Sequence, residues 1–208
     1  MNYDLFEFNS GSVSESGIYF DMPDADVSLY QSLYSTTDAS LLFNELKEQI
    51  VWEQEQIEMY GKTHPVPRLT AWYGDENKTY TYSGITAHSR PWTHCLLNIK
   101  QKIELVSQTN FNSVLLNFYR SGADGVAWHS DDEPELGKNP VIGSMSFGQM
   151  RPFQMKHRIK MNQRRSINLG NGDFLLMKGS TQHHWLHQVP KSKTNMGERI
   201  NLTFRFVS

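Results

Sequence analysis

These 208 residues predict a mixed α/β domain of the α+β kind, a β-sandwich or barrel buttressed on one side by two helices. Three observations point there. The first half holds two stretches with apolar residues at helical spacing. After Asn112 the pattern changes to short strand-like runs separated by turn residues. The length suits one domain with a full core.

The first helical stripe is Ala39, Leu42, Phe43, Leu46 and Ile50, with Asp38 available to cap its start. The second is Trp92, Cys95, Leu96, Ile99, Ile103 and Val106, opened by Ser89 and Pro91. Both stripes read as core. Strands are expected at 113–120, 141–147, 152–159, 166–169, 173–177 and 199–207, with Asn171-Gly172 as a hairpin turn signal. Side chains alternate along a strand, so Arg199, Asn201, Thr203 and Arg205 share one face of the last strand. Ile200, Leu202, Phe204 and Phe206 share the other. In Val114-Leu115-Leu116-Asn117-Phe118-Tyr119, one face carries Leu115, Asn117 and Tyr119. A mainly apolar strand presenting two hydrogen-bonding groups suits a ligand pocket.

Composition narrows the setting. A single cysteine, Cys95, excludes an internal disulfide and fits a reducing compartment. With no cleavable apolar leader and no apolar run long enough to span a bilayer, neither secretion nor membrane insertion is expected. No repeat or Gly/Ser/Pro linker divides the chain. The net charge of −2 averages two unlike parts: residues 1–58 carry twelve Asp or Glu against one Lys, and residues 59–208 carry 10 acidic against 19 basic side chains. Leu136 to Gly172 has no acid, yet holds Lys138, Arg151, Lys156, Arg158, Lys160, Arg164 and Arg165. Such a run is the electrostatic footprint of phosphate contacts.

The chemistry-bearing residues follow. His129 and Asp131 lie in Trp128-His129-Ser130-Asp131-Asp132-Glu133, and His187 lies in Trp185-Leu186-His187-Gln188. Two imidazoles and a carboxylate can occupy one face of octahedral iron(II), leaving positions for co-substrate and oxygen. His183 and His184 compete with His187 for the third place. Arginines on the closing strand suit the carboxylates of an organic acid that chelates the metal.

The stretch from about Pro67 to Phe206 resembles the AlkB family of iron(II)- and 2-oxoglutarate-dependent dioxygenases, in particular its branch that repairs alkylated DNA. The matching pieces are Pro67-Arg68, Tyr73-Gly74-Asp75, Thr79-Tyr80-Thr81-Tyr82-Ser83-Gly84, Asn117-Phe118-Tyr119, His129-Ser130-Asp131-Asp132-Glu133, His184-Trp185-Leu186-His187 and Arg199-Ile200-Asn201-Leu202-Thr203-Phe204-Arg205. The resemblance implies a double-stranded β-helix, or jelly-roll, with helices on one side. With the single domain that the length predicts over 1–208, the expected division is an acidic N-terminal extension and helix at 1–58, a nucleotide-recognition region at 59–110, and a catalytic jelly-roll core at 111–208.

The same resemblance assigns roles. His129, Asp131 and His187 are expected to hold Fe(II), with 2-oxoglutarate and dioxygen as co-substrates. Arg199 and Arg205 are expected to anchor the co-substrate's carboxylates, with Asn117, Tyr119, Asn201 and Thr203 completing its pocket. Tyr82 and the His129 ring are expected to sandwich an extruded base, with Arg68, Tyr80, Thr81, Asp132 and Glu133 around its polar edge. Met59-Tyr60-Gly61-Lys62 falls where a wedge fills the vacated stack. From the charge pattern, not the resemblance, Lys156, Arg158, Lys160, Arg164 and Arg165 are expected on the phosphate backbone. The implied reaction hydroxylates a methyl on an alkylated base nitrogen, in 1-methyladenine or 3-methylcytosine for example, and formaldehyde leaves. The expected partner is alkylated DNA, or RNA, bound by a monomer in a bacterial cytoplasm or a eukaryotic nucleus; a protein oxygenase and a silent binding module are the other readings.

Overall fold

The computed structural model describes residues 17–59, 61–76, 79–82 and 85–208. The chain begins with the short strand β1 (Ile18–Tyr19), then β2 (Asp26–Tyr30) and helix α1 (Thr36–Gln49). Two hairpin strands, β3 (Gln56–Met59) and β4 (Lys62–Pro65), precede β5 (Leu69–Gly74) and a small ribbon of β6 (Thr79–Tyr82) and β7 (Ile85–His88). Helix α2 (His94–Ser107) leads into eight strands. These are β8 (Ser113–Tyr119), β9 (Val126–His129), β10 (Ile142–Gly148), β11 (Arg151–His157), β12 (Arg164–Leu169), β13 (Phe174–Lys178), β14 (Trp185–Val189) and β15 (Arg199–Arg205), with a helical turn α3 (Thr181–His184) before β14.

The strands form a seven-stranded sheet of order β1-β2-β13-β10-β15-β8-β5 and a four-stranded sheet of order β12-β11-β14-β9. From β8 to β15 the chain crosses between the two sheets at every connection except β11 to β12. That alternation is the jelly-roll, and every pairing in it is antiparallel. The larger sheet also takes β2 and β5 from upstream of residue 111.

Two cores result because the larger sheet is covered on both faces. Val114, Leu116 and Phe118 of β8, with Ile200, Leu202 and Phe204 of β15, pack against Leu42 and Leu46 of α1 and Leu96, Ile99 and Ile103 of α2. Between the sheets lie Val27, Leu115, Tyr119, Ile142, Phe153, Met155, Leu175 and Met177. Burying side chains of this size contributes roughly 1.5–3 kcal/mol each.

Phe206, expected on the apolar face of the last strand, lies past the end of β15 and is 55% exposed. Cap and turn signals depart from expectation in three more places. Ser35, not Asp38, caps α1: its hydroxyl accepts from the Asp38 backbone N–H at 3.1 Å and donates to the Asp38 carboxylate at 2.7 Å. Both residues are good caps, and the helix starts one turn earlier because the reciprocal pair satisfies two groups at once. Helix α2 opens at Thr93 rather than near Ser89, with the Thr93 hydroxyl accepting from Leu96 N–H at 3.2 Å. Finally, Asn171-Gly172 joins β12 to β13, which belong to different sheets, so it is a corner and not a hairpin. Gly172 is required there: its φ is +88°, and a Cβ would collide with the Tyr34 carbonyl.

Candidate metal centre and co-substrate pocket

The four-stranded sheet presents His129 at the end of β9 directly across from His187 on β14. Their ring centroids are 4.3 Å apart. Asp131 follows in the next loop, fully buried, and its backbone N–H donates to Gln182 Oε1 at 3.0 Å. One ligand atom from each of His129, Asp131 and His187 lies within 4.8 Å of the others. His129 Nδ1 is 2.8 Å from the Ala127 carbonyl, which fixes that nitrogen as the donor and leaves Nε2 with its lone pair. His187 turns Nε2 toward Asp131 Oδ2, 3.6 Å away, while its ring stacks on Phe153.

Electrostatics keep Asp131 and His187 in ligating form. Burial pushes the His187 imidazolium down to about 3, so the ring is neutral. Burial disfavours the Asp131 carboxylate, but the charge of the Arg205 guanidinium beside it outweighs that and holds the carboxyl below its ordinary value. Arg205 Nη2 donates directly to Asp131 Oδ1.

Beside this cluster a cavity of about 570 Å³ opens between the sheets. Both strands behave as their alternation implies: Leu115, Asn117 and Tyr119 of β8 line it, as do Arg199, Asn201, Thr203 and Arg205 of β15. Arg199 is 1% exposed, donates to Ser146 Oγ at 3.0 Å and lies 5.2 Å from the Tyr119 ring centre. Its Nε and Nη1 have no hydrogen-bond partner, and it faces no carboxylate among the described residues. A buried guanidinium without a counter-ion is costly unless a ligand supplies one. Arg205 differs, because its guanidinium sits on Asp131 and so bears on the metal carboxylate. Asn201 donates to Ser144 Oγ at 2.9 Å and to the Met145 carbonyl at 3.0 Å, and accepts from Thr203 Oγ1 at 3.2 Å. Asn117 Oδ1 accepts from Arg68 Nε at 2.6 Å.

The other expected residues are more scattered. Glu133 lines the cavity, and its Oε2 is buried without a hydrogen-bond partner. Asp132 instead accepts from Arg158 at 2.7 Å, and the same Arg158 nitrogen donates to Ser130 Oγ. Gly61, at φ +71°, makes the turn between β3 and β4, and Lys62 is exposed at the start of β4. Tyr60 lies outside the described residues. Tyr80, Thr81 and Tyr82 lie on β6 in register with Ala87, Thr86 and Ile85. Along the basic stretch, Lys160 binds Asp24 at 2.6 Å and Arg165 lies over Phe20. Lys156 lies over Trp128, and Arg164 is exposed.

His183 and His184 point elsewhere. His183 Nε2 meets the Lys138 carbonyl, and His184 stacks on His157 at 5.7 Å. Asp24, His157 and His184 also bring ligand atoms within 4.8 Å of one another. His157 Nδ1, however, accepts the backbone N–H groups of Ile159 and Lys160 at 3.1 and 3.0 Å. Its proton must then be on Nε2, which donates to Asp24 at 3.1 Å, so that second cluster is a clamp on the hairpin and not a metal site.

Three residues that serve the site carry weaker sequence signals. Ser144 and Ser146 on β10 support Asn201 and Arg199; small polar residues two apart in an otherwise apolar strand are their only trace. Gln182, which holds the Asp131 backbone, has none.

The model of the 2OG-Fe(II) oxygenase superfamily matches residues 26–205. The chain belongs to that superfamily. Among curated proteins, this oxygenase is 42% identical over 190 residues to the alpha-ketoglutarate-dependent dioxygenase alkB homolog 3 of Mus musculus, covering 87% of this chain and 66% of the mouse protein. It is 36% identical over 186 residues to the DNA oxidative demethylase ALKBH2 of Bos taurus, covering 85% and 67%. The chain thus spans about two thirds of these relatives' length. Among solved structures, OsALKBH1 superposes with a TM-score of 0.66 at 15% identity, over 92% of this chain and 100% of that one. That likeness speaks for the fold.

The cofactors of the superfamily fit these residues. An imidazole whose Nδ1 is held by a carbonyl, a second turned toward a deprotonated carboxylate, and a buried arginine that faces no carboxylate among the described residues suit Fe(II) and the distal carboxylate of 2-oxoglutarate. Among the described residues no helix is long and apolar enough to cross a membrane.

Proposed function

We propose that this oxygenase removes alkyl groups from ring nitrogens of DNA bases such as 1-methyladenine and 3-methylcytosine. The observation that carries the reading is one cavity holding both the His129-Asp131-His187 cluster and Arg199, a buried cation without a counter-ion among the described residues, with Glu133 on its wall. The relatives' names, a dioxygenase and a DNA oxidative demethylase, support the substrate class.

Bound iron, with 2-oxoglutarate and dioxygen, supplies the oxidation of a methyl C–H to an alcohol while the co-substrate loses carbon dioxide and becomes succinate. The protein's share is placement. Arg199 holds the distal carboxylate through its unpaired Nε and Nη1, with Ser146 and Tyr119 fixing the guanidinium. Asn201, tied to Ser144 and Met145, and Thr203 form the polar floor. Leu115, Phe153 and Met177 line the same cavity and exclude water from it. Arg205 keeps Asp131 ionised and oriented.

Alkylation at N1 of adenine or N3 of cytosine makes the base a cation. Glu133, whose buried Oε2 lacks a partner, therefore favours the damaged base and accepts its exocyclic amino group. Tyr82 and the His129 ring stack on the base, while Tyr80, Thr81 and Arg68 border it. Extrusion from a duplex costs roughly a few kcal/mol, less for a pair that alkylation has already weakened. Hydroxylation of the methyl gives a hemiaminal, which collapses to formaldehyde and the repaired base.

The test is mass spectrometry of methylated oligonucleotides incubated with the protein, iron(II), ascorbate and 2-oxoglutarate. Conversion of the methylated strand to the unmodified mass is expected. Intact methylated DNA, with turnover confined to tRNA or a protein, overturns the DNA assignment.

A further inference from the structure

The outer face of the four-stranded sheet is built for an anion beside an aromatic ring. His129 and His187 are cross-strand partners lining the cavity; Trp128, one residue earlier on β9, borders that cavity too, but its ring lies under the ammonium of Lys156, on the opposite face of the sheet. The same alternation turns Gln154 and Lys156 of β11 and Leu186 and Gln188 of β14 outward; these four are half-buried while their neighbours are buried. On β12, Arg164 and Ser166 stand across from Lys156 and Gln154. A groove of about 190 Å³ runs here, lined by Trp128, Gln154, Met155, Arg164, Arg165 and Ser166.

Two features of this face are unfavourable unless it has a ligand. Lys156 and Arg164 are directly opposed in register, and like charges so placed repel. Neither makes an ion pair among the described residues, and Leu136 to Gly172 contains no acid to neutralise them. The indole of Trp128 is half-exposed, with the Lys156 ammonium 4.4 Å from its ring centre as its cover. A nucleotide supplies what both features lack: a flat base for the indole and a phosphate for the paired cations.

We propose that this groove binds the single strand of nucleic acid flanking the lesion, with a neighbouring base stacked on Trp128 and its phosphate held by Lys156 and Arg164. The inference rests on the reading of the substrate as nucleic acid. An incoming base displaces the Lys156 ammonium from the ring, and the freed cation turns to the phosphate. Because Trp128 adjoins His129 in sequence, the groove begins next to the pocket, and a strand leaving the pocket crosses the sheet toward β12. Stacking reads no base identity, so the groove favours longer substrates without imposing a sequence.

Fluorescence anisotropy with unmodified, labelled oligothymidylate and an abasic strand of equal length tests this without any turnover. Trp128→Ala is expected to weaken oligothymidylate binding about 5- to 150-fold, the loss of one base–aromatic stack, while leaving the abasic strand unchanged. Trp128→Phe should retain most of the affinity, which separates stacking from misfolding. Lys156→Gln and Arg164→Gln should weaken both strands and each reduce the salt slope by about 0.7. Wild-type affinity in Trp128→Ala, equal losses on both strands, or no strand binding by the wild-type protein overturns the groove. If the groove passes while methylated DNA is never repaired, the demethylase reading fails and the groove stands; repair by a protein whose strand affinity ignores Trp128 has the opposite meaning.

Discussion

Replacing Arg199 by Met should move co-substrate affinity and the stability of the ligand-free protein in opposite directions. Methionine keeps an unbranched, flexible side chain but has no charge and no donors. In the wild type the guanidinium is 1% exposed, donates to Ser146 Oγ, lies over Tyr119 and leaves Nε and Nη1 without partners among the described residues. Burial lowers its proton affinity, with Tyr119 opposing. Each hydrogen bond to a charged carboxylate is worth roughly 1.5–3 kcal/mol, so 2-oxoglutarate affinity should fall at least about 10- to 150-fold. A buried, uncompensated ion costs several kcal/mol, offset here by about 1–2 kcal/mol from the ring and the serine. Removing it should therefore raise the melting temperature of the chelator-treated protein, by about 2–4 °C for each kcal/mol gained. Arg199→Lys keeps the charge but not the planar fork, so its affinity should fall without the gain in stability. Thermal melts with and without metal and 2-oxoglutarate, alongside calorimetric titration, read both quantities. A Met variant that melts below the wild type and binds 2-oxoglutarate normally refutes the role given to Arg199.

Other substitutions separate the remaining parts. His129→Ala, Asp131→Ala and His187→Ala should each abolish turnover with native circular dichroism, whereas His184→Ala should stay active because its ring stacks on His157; the reverse pattern for His184 and His187 shows the wrong third ligand. Cys95, 2% exposed and pushed up to about 12 by burial and the Glu45 charge, should resist thiol reagents from neutral to mildly alkaline pH until the chain unfolds; rapid labelling of native protein refutes that packing. Burial disfavours the Asp124 carboxylate, but hydrogen bonds and charge from Arg120 hold its carboxyl below 3.8. Its contribution is therefore present above the unfolded value and lost as pH falls through the folded one, so Asp124→Asn should flatten the acid limb of a stability profile below about pH 4. Tyr60→Ala, if that ring fills the vacated stack, should lose turnover mainly on annealed methylated strands; equal losses on single strands leave it a general contact.

Period-two alternation made the pocket legible because it depends only on neighbouring residues. Asn117, Tyr119, Arg199, Asn201, Thr203 and Arg205 face one cavity since a strand cannot place them otherwise once Leu116, Leu202 and Phe204 are committed to the helices. What alternation cannot supply is pairing between distant strands. That β2 closes against β13 and β5 against β8 follows from which edges remain open after the jelly-roll has formed, and no local pattern carries it. The division of labour between the two arginines was hidden for the same reason. Arg199 and Arg205 occupy the same face, and only the position of Asp131, 74 residues from Arg205, gives one of them a carboxylate while the other faces none among the described residues. Charge patterning was legible as a basic stretch but not as partners: Arg158 and Lys160 meet Asp132 and Asp24, while Lys156 and Arg164 make no ion pair among the described residues.

Repair of a methylated strand under isotopically heavy dioxygen tests the central claim most directly, with succinate, formaldehyde and repaired base quantified together. The account predicts equal amounts of all three, one heavy oxygen atom in each succinate, and loss of all three products in Asp131→Ala. Demethylation without succinate, or succinate that carries no heavy oxygen while the base is repaired, contradicts it.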